Sequence, residues 1–125
     1  ATAGAGGLFS IPGALSTNAP ADPLEIAFTG SPVTAIGGLF QATDFDGLPV
    51  AANVAITLSN GTIENIPTGS GFRGFVSDVP ILSVTIQDPD PTATWPAMDN
   101  FYVGVPEPTS LALLSLAGLT LIRRR

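Results

Sequence analysis

Apolar side chains two positions apart, set between clusters of turn residues, recur along most of this chain, and that period of two is what most restricts its fold. Val54, Ile56 and Leu58 alternate with smaller or polar neighbours, Asn60-Gly61 follows, and residues 62–66 return as a partner. Asn-Gly favours a type I′ hairpin, because both central residues of that turn need positive φ. Leu24, Ile26 and Phe28 alternate in the same way, and so do Leu82, Val84 and Ile86. Further strands are expected at 33–40, 72–76 and 97–103, with Gly37-Gly38 marking a bulge or a close backbone approach. Turns are expected at 30–32 and 77–80, and loops at 42–47, 67–71 and 87–96. The first 23 residues, dominated by Gly, Ala, Ser, Thr and Pro, read as loop around one short strand at Leu8, Phe9 and Ile11. No helical period precedes residue 109. Seven or so short strands punctuated by turns predict an all-β fold, an antiparallel β-sandwich of jelly-roll type.

The C-terminal end departs from this pattern. Pro106 and Pro108 bracket Glu107, and each proline lacks an N–H and biases its predecessor to extended geometry, so the β-like chain is interrupted there. Thr109 or Ser110 can cap a helix, and the leucines from Leu111 onward point in every direction around it. A helix apolar all round belongs in a membrane or a large core, and Arg123, Arg124 and Arg125 at its end decide for the membrane, as a cytoplasmic stop. The 14 residues from Thr109 to Ile122 span about 21 Å, short of a hydrocarbon core of about 30 Å. Snorkelling arginines and local thinning accommodate so short a transmembrane helix, and a weak anchor suits a temporary hold. The body then lies outside the cytoplasm.

Charge and missing residue types narrow the function. Nine acids and a single cation, Arg73, precede residue 106, a net charge of about −8, which repels nucleic acid and anionic membrane. Cysteine, histidine and lysine are absent. Thiol nucleophiles, thiolate metal sites, the usual general base and the commonest transition-metal ligand go with them. Paired carboxylates for glycoside hydrolysis are conceivable among ten acids, but nothing in the spacing brings two together. Arg73 is expected to pair with a neighbouring acid. The chain therefore reads as a binding or structural protein and not as an enzyme.

Three short acidic stretches are candidate sites. Asp44-Phe45-Asp46-Gly47 spaces two carboxylates as oxygen-rich calcium loops do, although it lacks the further acids of an EF-hand. Aspartates capping turn amides are the simpler reading of Asp44 and Asp46, and of the similar Asp88-Pro89-Asp90. Asp99-Asn100 in the last strand can hold a structural cation or bind backbone amides. Trp95 and Tyr102, the two large aromatics with polar tips, are candidates for stacking on a sugar ring, against a plain role at the edge of the core.

Pro106-Glu107-Pro108, the apolar run 111–122 and the arginine cluster, in that order at the C-terminus, closely resemble the PEP-CTERM sorting signal of Gram-negative bacteria. The body is also similar to a β-rich ectodomain common among PEP-CTERM proteins, in Phe72-Arg73-Gly74-Phe75-Val76-Ser77-Asp78, in 82–86 and in Met98-Asp99-Asn100-Phe101-Tyr102-Val103. The resemblance implies three regions: a loop-rich segment at 1–23, a β-sandwich ectodomain at 24–104 and the sorting signal at 105–125. It implies a precursor held in the inner membrane by its C-terminal helix, processing by an exosortase, and release to the cell surface, the extracellular polysaccharide or a biofilm matrix. It brings no catalytic residues. The chain starts at Ala1 without the basic flank and apolar run of a leader, so a fragment or processed chain with a missing upstream part is expected. The expected function is a structural or adhesive surface protein, and the alternative is a calcium-assisted carbohydrate-binding module. Stabilisation by calcium and retention on polysaccharide, lost on changing Trp95 or Asp44, would discriminate the second from the first.

Overall fold

The structure, a computed structural model, describes residues 1–11, 13–88 and 93–106. The described residues form nine strands: β1 (Leu8–Ile11), β2 (Ala14–Thr17), β3 (Leu24–Ala27), β4 (Val33–Thr43), β5 (Asn53–Leu58), β6 (Ile63–Pro67), β7 (Arg73–Ile81), β8 (Ser83–Gln87) and β9 (Trp95–Gly104). They build two antiparallel sheets, one in the order β1-β2-β9-β4-β7 and the other in the order β3-β8-β5-β6. The expected all-β architecture is present. The pairs nest: β5 with β6, β4 with β7, β3 with β8 and β2 with β9, so that strands far apart in sequence lie side by side. The expected C-terminal helix, with Glu107, Pro108, Arg123, Arg124 and Arg125, lies outside the described residues.

The alternation read from the sequence becomes the inner faces of the sheets. Ile56 and Ile86 face each other in register, Val54 sits opposite Ile66 and Leu58 opposite Val84, all of them buried. Leu24 and Ile26 extend that layer, and Ile36, Phe40, Ile81 and Met98 of the other sheet complete the same core cluster. Burying each such aliphatic side chain contributes about 1.5–3 kcal/mol, and a period of two delivers them all to one face of each sheet. At one end the rings of Phe28 and Phe101 stack, their centroids 6.3 Å apart and their planes within 4°.

Three local expectations are corrected, and a fourth is met in a more specific form. The β5–β6 hairpin is present, but its loop is not type I′: Gly61 alone has positive φ (97°), Gly61 N–H donates to Leu58 O at 3.0 Å and Leu58 N–H to Thr62 O at 2.9 Å. Three loop residues ending in a left-handed glycine make a type I turn with a G1 bulge instead. Residues 77–80, expected as a turn, continue β7 as an irregularity, with Ala35 opposite Val76 but Val33 opposite Ile81. The irregularity expected at Gly37-Gly38 is present, with the extra residue of the bulge on the facing strand: Gly37 pairs with Tyr102 and Leu39 with Asp99, and Asn100 there takes a left-handed φ of 47°. Finally, the N-terminal segment supplies two strands where one was expected, the β1–β2 hairpin, and β2 joins β9 through Leu15–Met98 and Ser16–Ala97.

Candidate binding cleft

The start of β9 meets the end of β4, where Trp95 lies in register with Thr43. The chain then turns through residues 44–48 under the control of Asp44. Its Oδ1 accepts from the N–H groups of Asp46 and Leu48, both at 2.9 Å, its N–H donates to Leu48 O, and Gly47 takes a φ of 80°. This turn holds Phe45 at its tip, 82% exposed, with its ring edge-on to Trp95 at a centroid distance of 5.9 Å and an interplanar angle of 66°. Phe9, on β1 opposite Ser16, is 46% exposed and forms the far wall.

Between these aromatic groups lies a cleft of about 140 Å³. Ser16 and Thr43 line its floor and are buried, and Ser16 Oγ donates to Pro96 O at 2.9 Å. Thr17 Oγ1 donates to Ala19 O at 2.8 Å, so the hydroxyls of Ser16 and Thr17 are committed before any ligand arrives. Asp44 and Asn18 add polar groups at the margin; the Asn18 side chain is exposed and forms no hydrogen bond with another described residue. Rings, a carboxylate and a side-chain amide round a fixed floor suit a ligand that is apolar on its faces and hydroxylated at its edges. Neither Phe9 nor Phe45 was singled out by sequence reasoning. An aromatic residue at a turn tip between two aspartates was the available signal for Phe45, whereas Phe9 reads as an ordinary strand residue.

The two aromatics expected to stack on sugar do not converge. Tyr102 lies seven residues further along β9, about 23 Å away at the usual strand rise. There it is 63% exposed and pairs with Phe72, centroids 6.1 Å apart, over Gly37. A Cβ on Gly37 would come within 2.5 Å of Phe72 Cζ, so the bare backbone is what lets the ring lie down.

The calcium candidates are likewise dispersed. Among the described residues no three acidic, histidine or cysteine side chains gather as a metal-binding group. Asp44 serves the turn amides, Asp46 is exposed beside it, and Asp99 lies four positions along β9 from Trp95, its Oδ1 accepting from Asn100 N–H at the bulge. Asp88 is buried and accepts from Thr94 Oγ1. Asp90 lies outside the described residues. Arg73 forms an ion pair with Glu64 at the opposite edge of the molecule from β1. Comparison with models of protein families, with curated proteins and with solved structures finds no match.

Proposed function

We propose that this chain is an exported cell-surface or extracellular-matrix protein, held in the membrane and processed by an exosortase through its C-terminal signal, with a structural or adhesive body of jelly-roll type. The observation that carries this reading is the ordered sequence of the tail, Pro106-Glu107-Pro108, an apolar run and three arginines, placed directly after the last strand. The fold is consistent with it. Strand β9 is held on both sides, by β2 and β4, and ends at Gly104, after which Val105 and Pro106 are exposed. Two prolines lock φ on either side of Glu107, so the recognised peptide is offered extended to an enzyme at the bilayer face. Five residues from Pro106 to Leu111 reach at most about 17 Å, which keeps the body close to the membrane until the tail is cut. The nested strand pairs support the jelly-roll assignment, since two Greek keys folded over one another pair first strands with last.

The test is the intact mass of the mature protein from an exosortase-bearing host and from the same host without it. Loss of the tail near Pro106–Pro108 only in the first is expected. An unprocessed chain in both would make the tail a plain membrane anchor and the body a tethered surface domain.

A further inference from the structure

We infer that the cleft between Phe9, Phe45 and Trp95 is a subsite for one pyranose ring of a neutral polysaccharide. The proposal stands on the described body alone and holds whether or not the tail is processed. A sugar ring has C–H faces and hydroxyl edges, and the cleft offers both partners at once: exposed aromatic rings, with Asp44 and Asn18 at the margin to exchange hydrogen bonds with hydroxyls. Phe45 is the decisive residue. A phenylalanine 82% exposed at a turn tip loses contact with no core by being there, yet the turn is fixed by both backbone and Asp44 hydrogen bonds, so the ring is presented at little entropic cost.

Size and charge select the ligand class. About 140 Å³ is well below the roughly 300–1,000 Å³ that encloses a drug-sized molecule, so the cleft takes no more than about one ring, and any larger occupant must extend into solvent. A body charge of about −8, with Arg73 engaged by Glu64 at a distant edge, disfavours uronic and sulfated chains. The Ser16 and Thr17 hydroxyls are already committed to backbone carbonyls, so recognition falls mainly to the margin and the aromatic walls. Trp95 is the one tryptophan of the chain, which makes its fluorescence a direct reporter of the cleft.

The experiment uses the full chain in mild detergent. It is run through native gels containing dextran, a soluble β-glucan, galactomannan or alginate, with tryptophan fluorescence titrated against oligosaccharides of any polymer that retards it. Retardation by at least one neutral polymer, with a saturable blue shift of Trp95, is the expected result. Phe45→Ala, at a position too exposed to threaten folding, should weaken that binding about tenfold, while Tyr102→Ala at the other end of β9 leaves it unchanged. Retardation by none of the neutral polymers, equal retardation by alginate, or sensitivity to Tyr102→Ala in place of Phe45→Ala would overturn the proposal. So would retention on an unfolded-peptide column alone, which would assign the cleft to extended peptide.

Discussion

Arg73, the first residue of β7, forms an ion pair with Glu64 of β6, and so joins the edge strand of one sheet to the edge strand of the other. Both side chains are partly exposed, and exposed pairs of this kind contribute only about 0–1 kcal/mol. Arg73→Ala is therefore expected to lower stability by less than about 1 kcal/mol in urea unfolding at low salt. The difference should largely vanish at about 1 M NaCl, where the screening length falls to about 3 Å. A loss well above that, insensitive to salt, would show that the pair holds the sheets together in a way its exposure does not suggest.

Stability resides in the facing aliphatic rows. Ile56 is fully buried against Ile86, whereas Ile63 on the neighbouring strand is 70% exposed. Ile56→Ala is expected to cost about 2–5 kcal/mol, from lost transfer energy and the cavity left behind. Ile63→Ala should stay within about 0.5 kcal/mol. Comparable costs in the two variants, read from denaturant midpoints, would contradict the register of β5 and β6.

Gly61 and Gly47 occupy the same left-handed position in two three-residue hairpin loops, with φ of 97° and 80°. Replacing either by alanine should cost about 1 kcal/mol, since a Cβ strains that conformation even though open space surrounds Gly61. Asn60 has no positive φ, and its side chain instead accepts from Thr62 N–H and donates to Ser77 Oγ. Asn60→Gly should therefore destabilise the hairpin, where a type I′ turn would have tolerated it. Thermal melts of the three variants decide the matter.

Asp44 organises its turn through two backbone amides. Asp44→Ala is expected to cost about 1–2 kcal/mol, Asp44→Asn less because an amide oxygen still accepts, and Asp46→Ala close to nothing. Millimolar calcium should leave the melting temperature of the unmodified chain where it is. A rise of several degrees, abolished by Asp46→Ala, would return these two aspartates to a cation.

The β5–β6 hairpin was legible because everything that makes it lies within fifteen residues: a period of two, a turn dipeptide and a returning strand. Its turn type was not, because Asn-Gly is compatible with more than one loop and the choice depends on how many residues the ladder leaves unpaired. Gly37-Gly38 was a true sign of irregularity, but glycine permits a bulge without having to carry it. The left-handed residue is Asn100 on the facing strand. Which strands pair could be anticipated only through a fold type and not from any local signal, since β2 meets β9 through contacts some eighty residues apart. The cleft escaped for the same reason. Trp95 and Asp44 were visible as residue types, while the convergence of Phe9, Phe45 and Trp95 exists only once three distant segments are placed side by side.

Strand β9 carries Trp95 at one end and the departing chain at the other, with β4 paired along most of its length and β2 beside its first half. A pull between a ligand on Phe45, two residues past the end of β4, and the chain beyond Pro106 would draw β4 and β9 in opposite directions. The ladder hydrogen bonds between those two strands lie perpendicular to that pull and would be loaded together, in shear, instead of being unzipped one by one. Bonds loaded in that geometry give way together, at a higher force than the same bonds opened in sequence.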